Sequence, residues 1–358
     1  MKKAKGCAMI DLKEILRAHA ARYPFMMPTD AVKLIYQNEF GGGHIVENER
    51  ASLAYLQSEY ESARLKKDAP VSEDIGNGYA RLNLRPEQVP YAPLINRIFV
   101  LSSRRGGGDR ASFEAKLDIL RETAREGVFA FTPEELEEYL TAYRAVDYPP
   151  VSHSERYRTA YLPAYRVIDA RYVRLLPALR AVYDLYQRKQ NPVICIDGRA
   201  ASGKTTAAAL LAPVIGAQVI HMDDFFLPTE LRTPARYAED GGNVHYERFY
   251  DEVIRGIIRG EPFTYRVFDC TVMDYAETRT VDPALPILIE GSYSMHPYFG
   301  DACDLRIFSD IDPALQRARV RVRNGEEKLQ RFVNEWIPME EQYFKAYDIR
   351  SACDVILK

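Results

Sequence analysis

The stretch "ICIDGRAASGKTTAAALL", residues 194–211, decides how the second half of this chain folds. It opens on an apolar run, turns at a glycine, and continues into alanine- and leucine-rich sequence of helical character. Between the two, Gly198, Gly203, Lys204 and Thr205 complete the pattern G-x-x-x-x-G-K-[ST]. Each part of that spacing has a physical cause. The glycines let backbone N–H groups curl inward as an anion nest, the helix that follows presents its positive end, and the lysine reaches the outer phosphates of a bound ligand. Thr205 offers a hydroxyl to Mg²⁺. A chance glycine-rich turn would need neither the strand before it nor the helix after it. Gly198, Ala200, Ser202, Gly203, Lys204, Thr205 and Thr206 are therefore the expected phosphate-holding residues.

Downstream of residue 192 short apolar runs alternate with helical sequence. "VICI" (193–196), "QVIHM" (218–222), "PILIE" (286–290), "LRIF" (305–308) and "DVIL" (354–357) read as strands of a parallel α/β sheet flanked by helices. Ligands of such sheets gather at the carboxyl ends of the strands. Asn191-Pro192 closes the sequence before it, so the boundary is expected at 189/190. Residues 1–189 then form a mainly helical domain of unassigned role. In it "TPEELEEYLTAY" carries a capping box at Thr132 and Glu135, and Thr29 stands before the helical "DAVKLIYQNEF". Asn77-Gly78 in "EDIGNGYARLNL" signals a hairpin, a small β element near residues 73–84. Tyr165 to Gln190 reads as a long amphipathic helix with Pro177 as a kink or a second start.

Three further groups of residues bear on the chemistry. "VIHMDDFF" places Asp223 and Asp224 at the end of a strand. A carboxylate there can take the proton of a hydroxyl and aim its oxygen at a γ-phosphate, a role assigned to Asp223 alone because its neighbour is as easily a helix cap. Glu290, at the end of "PILIE", can hold Mg²⁺ through water or cap the turn that follows. In "DPALQRARVRVRNGEE" Arg319 and Arg323 share a helix face at i,i+4 spacing with no acid between them. A solvated face is the ordinary reading of such a run, but an anion between the two guanidinium groups explains it better.

Composition bounds the alternatives. The 358 residues are 47% hydrophobic and 28% charged, with a formal net charge of −3, which suits a folded chain of two domains and argues against broad electrostatic capture of nucleic acid or anionic membrane. Five widely spaced cysteines with no C-x-x-C pair predict free thiols and a cytoplasmic setting. No apolar run approaches the length of a membrane span.

Together "GRAASGKTT", "MDDFF", "FDC" (268–270), "IEGSYS" and the arginine run ending in "RNG" make residues 192–357 resemble the uridine kinase and phosphoribulokinase family of phosphate-loop kinases. The resemblance implies ATP and Mg²⁺, with Asp223 matching the family's base and Arg319 and Arg323 its lid arginines. It departs from the family on the acceptor side. His245 stands where uridine kinases carry an aspartate, and Met273 where they carry a histidine. His245, Tyr246, Arg248, Arg266 and Asp269 are the expected acceptor-pocket residues, each with packing as its plain alternative. The expected function is transfer of a γ-phosphate to a hydroxyl of a small metabolite, a nucleoside foremost. The alternative is a regulatory NTPase whose ATP occupancy acts on the first half. In that half His44, after three glycines, and His153, among several tyrosines and arginines, suggest either a second pocket for an anion or a helix stop and packed rings. Oligomeric state, a homo-oligomer included, is left open.

Overall fold

A computed structural model describes residues 11–43, 46, 48–62 and 65–358. The chain divides into two compact units between Val173 and Arg174. That point lies inside the helix whose far end the sequence marks with Asn191-Pro192.

The first unit contains α1 (Leu12–Arg22), α2 (Pro28–Phe40), α3 (Glu49–Ser62), β1 (Ser72–Gly76), β2 (Tyr79–Asn83), α4 (Ala92–Ser103), α5 (Arg110–Arg125), α6 (Pro133–Ala145), α7 (Glu155–Tyr161) and β3 (Tyr165–Asp169). Asn77 and Gly78 take φ of 50° and 75°, so a two-residue turn with both central residues left-handed joins β1 to β2. The expected capping box forms, with the Glu135 N–H donating to Thr132 Oγ1 at 3.2 Å and the Thr132 N–H to Glu135 Oε2 at 2.7 Å. The helix of residues 28–40 starts one residue before Thr29, at Pro28. It stops at Gly41, whose φ of 67° few other residues adopt. His44 lies outside the described residues.

One expectation fails here. Tyr165 to Asp169 is a strand rather than the first turns of a long helix, and it pairs antiparallel with β2 from Asn83↔Tyr165 to Tyr79↔Asp169. The hairpin offers a free edge, and pairing there buries Val167 and Ile168. Asp169 then accepts the Arg171 N–H at 3.0 Å, starting α8 (Arg171–Tyr186), which runs on through Pro177.

The second unit is built on a five-stranded parallel sheet, in the order β10-β9-β4-β8-β5. Its strands are β4 (Val193–Gly198), β5 (Gln218–His221), β8 (Ile287–Glu290), β9 (Leu305–Ser309) and β10 (Val355–Leu357), the five apolar runs of the sequence. Helix α9 (Lys204–Ile215) follows β4, and helices Pro313–Asn324 and Ile337–Ala346 precede β10. An antiparallel pair, β6 (Phe263–Asp269) and β7 (Asp274–Val281), was not anticipated. Seven of the eight β7 residues are at least partly exposed, so it lacks the apolar pattern that announces a strand.

The cysteine expectation is also corrected. Cys195 and Cys303 form a disulfide, with Cα atoms 6.0 Å apart. The pairing is hidden by a separation of 108 residues. It arises because the Asp304 N–H donates to Val193 O at 2.8 Å, drawing Cys303 alongside β4. Cys270 and Cys353 are free thiols. Among the described residues no helix is long and apolar enough to cross a membrane.

Candidate functional site

The glycine-rich loop expected to hold phosphate lies between β4 and α9, as its spacing requires. Gly198 has φ of 134°, and a Cβ there would fall 2.1 Å from the carbonyl oxygen of Ser309 on the neighbouring strand. Gly203 takes φ of 99° at the position just before α9. Only glycine meets both demands without strain. The loop is braced from below by Arg174, which donates to Ser202 O at 2.9 Å, Asp310 O at 3.2 Å and Lys358 O at 2.8 Å. Ala200 and Ser202 are buried, whereas Thr205 and Thr206 are exposed at the start of the helix.

The Lys204 ammonium is turned back along the loop. It donates to Gly198 O at 2.6 Å, Arg199 O at 3.0 Å and Ser292 Oγ at 3.1 Å. Ser292 in turn donates to Glu340 Oε1 at 2.6 Å, and Glu340 Oε2 accepts the Ala200 N–H at 2.9 Å. A buried carboxylate thus holds one side of the loop; burial raises its pKa, against the pull of Lys204 and its hydrogen bonds. Asp197 is fully buried too, accepting from the backbone N–H groups of Gly198, Tyr293 and Met295 and from the Tyr343 hydroxyl. Burial outweighs those bonds and lifts its pKa to about 6.

Strand register assembles the acids. His221 is the Cα partner of Glu290 across β5 and β8, and Ile196 of β4 is its partner on the other side. His221 Nδ1 lies 2.6 Å from Glu290 Oε1, and the Thr205 hydroxyl donates to Glu290 Oε2 at 3.3 Å. A hydroxyl and a carboxylate oxygen side by side suit a small hard cation that takes its remaining ligands from water and phosphate, as Mg²⁺ does. Asp223 sits on the helical turn Met222–Phe225 that follows β5. Its side chain has an exposed face, yet crowding by protein and then the charge of Glu290 raise its pKa, against the nearby Lys204 ammonium. Asp224 points the other way. It accepts from the Tyr265 hydroxyl at 3.1 Å and from Arg279 at 3.0 Å, tying the turn to β6 and β7.

The remaining expected residues are spread more widely. On the helix Pro313–Asn324, Arg319 donates to Ala201 O in the loop at 3.2 Å. Arg323 instead donates to Asn324 Oδ1 at 2.8 Å. The His245 N–H donates to Phe225 O at 2.8 Å, which keeps this histidine next to the turn carrying Asp223. Its Nδ1 is buried with no partner among the described residues. Tyr246 stacks on His296 at 4.4 Å beneath the Arg236 guanidinium at 3.9 Å. Arg248 is buried, donating to the carbonyls of Asp224 at 2.6 Å and Arg266 at 2.7 Å. Arg266 pairs with Glu252, and Asp269 accepts from Thr271 at the β6–β7 turn. Tyr246, Arg248, Arg266 and Asp269 therefore have protein partners already. Arg174, His221, Arg279 and Glu340 were not singled out from the sequence. Of these only His221 had a visible signal, its place two residues before Asp223 at the end of a strand.

No protein-family model matches the chain. Among solved structures it is similar to a possible uridine kinase from Bacillus stearothermophilus, with 20% identity over 51% of this chain and 100% of that one at a TM-score of 0.40. It is also similar to the JCV helicase with an acetamide compound bound, with 13% identity over 95% of this chain and 86% of that one at a TM-score of 0.24. At these scores the chemistry of the site stands on its own residues.

Proposed function

We propose that this chain is an ATP-dependent phosphotransferase that moves a γ-phosphate to the hydroxyl of a small metabolite, a nucleoside foremost. The observation that carries the reading is the gathering of four groups at the carboxyl ends of β4, β5 and β8: Lys204, Thr205 beside Glu290, and Asp223 within their field. Such a carboxylate can take a proton from an alcohol or from water, so stimulation of ADP release by an acceptor is what separates a transferase from a hydrolytic NTPase.

The residues divide the work by their chemistry. The loop N–H groups and Lys204 bind the phosphates, the ammonium exchanging the carbonyls of Gly198 and Arg199 for phosphate oxygens. Thr205 and Glu290 would hold Mg²⁺, which when bound offsets phosphate charge. Burial and the charge of Glu290 raise the pKa of Asp223, which makes its carboxylate a better proton acceptor than an ordinary aspartate. Asp223 takes the proton of the acceptor hydroxyl as that oxygen bonds to the γ-phosphorus and the bond from phosphorus to the ADP oxygen breaks. Arg319, anchored on the loop carbonyl of Ala201, stands ready for the charge of the transferring group. On the acceptor side, His245 Nδ1 and Arg248 Nε are buried polar atoms with no partner among the described residues.

The test is an ADP-release screen with Mg·ATP against nucleosides, sugars, vitamins and small hydroxy acids. At least one acceptor should raise ADP release well above the rate with water alone. Because His245 and Met273 depart from the uridine kinase pattern, uridine and cytidine should be poor acceptors. A screen in which no hydroxyl compound raises the rate would leave only the regulatory NTPase.

A further inference from the structure

The first unit encloses a cavity of about 400 Å³, within the range that holds a small metabolite. Tyr23, Tyr157, Tyr161 and Tyr165 line it. So do four cationic side chains, Arg22, Lys66, Lys67 and Arg81, against two carboxylates, Asp68 and Glu73. Glu73 is already engaged: the Tyr23 hydroxyl donates to it at 2.5 Å and Arg22 lies 3.8 Å away. The cavity thus has an excess of positive charge and aromatic walls.

Arg81 is the unusual member. It is only 2% exposed, and a charge buried that deeply ordinarily has its hydrogen-bonding positions filled. Its Nε donates to Gln37 Oε1 at 2.9 Å and its guanidinium lies over the Tyr165 ring at 4.6 Å, but its Nη2 has no partner among the described residues. The orientation is fixed by a relay of side chains. Gln37 Nε2 donates to the Tyr165 oxygen at 3.2 Å, and the Tyr165 hydroxyl meets His153 Nε2 at 2.7 Å. His153 Nδ1 lies 2.8 Å from Asp30, which also takes the N–H and hydroxyl of Ser154. Burial holds His153 neutral, with a pKa of about 4, so its Nδ1–H donates to the Asp30 carboxylate and Nε2 accepts from the tyrosine hydroxyl. Such a network prepares a guanidinium to receive something other than protein.

We propose that this cavity is a binding site for a small organic anion, a phosphate or carboxylate head on a flat ring, with the head held by Arg81, Lys67 adding charge near it, and the ring lying against the tyrosines. The site is separate from the phosphate loop and does not depend on the phosphotransferase reading.

Isothermal titration of the full chain with phenyl phosphate, benzoate and phenol tests it, since the three share a ring and differ in the head. At least one of the two anions should bind, and phenol at least about tenfold more weakly, because a charge-assisted bond at a desolvated guanidinium is among the stronger polar contacts. The preferred anion tells phosphate from carboxylate. Lys204→Ala, which disables the phosphate loop, should leave this binding within about twofold, whereas Arg81→Gln should weaken it at least about tenfold. Should Arg81→Gln fail to fold, Ala69→Trp decides: Ala69 lines the cavity and is not a member of the relay, and an indole there would occupy the space. Binding of all three probes with equal strength, binding lost in Lys204→Ala, or binding kept when Ala69→Trp fills the cavity would each overturn the proposal.

Discussion

At the residue scale the proposed transfer rests on Lys204 and Asp223, and each makes a distinct prediction. Lys204→Ala should fold, since the ammonium is spent on loop carbonyls and a serine rather than on the core. It should lose turnover by roughly two or more orders of magnitude, because preorganised charge at the transferring group is worth about 3 kcal/mol or more. A thermal melt with and without Mg·ATP separates the two effects: the mutant should melt normally and lose the ligand-induced rise. Gly198→Ala is the opposite case. Its Cβ would meet the Ser309 carbonyl at 2.1 Å in a left-handed backbone, so the variant should lower the melting temperature whether or not ATP is present. The buried histidines give a pH dependence of definite sign. Burial lowers the pKa of His19 to about 3 and of His153 and His296 to about 4, below the 6.5 of the unfolded chain. A depressed pKa means that the folded chain binds these protons less well than the unfolded one. Their contribution is full above pH 6.5 and is lost as pH falls toward 4. Melting temperature should drop over that window, and His153→Gln should flatten the drop; a flat profile from pH 7 to 4 would contradict the burial of these rings.

At the scale of elements, what could be read in the sequence was what local pattern encodes. β4, the loop and α9 form one continuous stretch with its own periodicities, and the five core strands are apolar runs. The Asn77-Gly78 hairpin and the Thr132 capping box are likewise chemistry of neighbours in the chain. What escaped depends on partners far away. β3 became a strand because β2 offered it an edge, and Glu340 reaches the loop across 140 residues with no motif of its own. The Cys195–Cys303 pair is of the same kind. The arginine helix lies between these cases. Its spacing was legible, but which guanidinium meets the loop was not: Arg319 donates to Ala201 O, and Arg323 to its neighbour Asn324. Arg319→Ala should therefore lower kcat about tenfold or more, and Arg323→Ala less, in the acceptor-stimulated reaction. Equal losses would mean that the helix closes with both arginines on the phosphates.

For the whole molecule, two units with different chemistry share one chain. The second gathers Lys204, Thr205, Glu290 and Asp223 at the ends of its parallel sheet, and the first holds a cationic, tyrosine-lined cavity. Whether the chain is a transferase rests on one act, the movement of phosphate from ATP to carbon-bound oxygen with Asp223 as base. The direct measurement is the phosphorylated product itself, quantified by mass spectrometry alongside ADP for the best acceptor of the screen, in the wild-type chain and in Asp223→Asn. The account predicts product and ADP in equal amounts from the wild type, and in Asp223→Asn a loss of about 10²–10⁴-fold in product with the thermal response to Mg·ATP retained. ADP without phosphorylated product, or an Asp223→Asn variant that forms product at the wild-type rate, would contradict it.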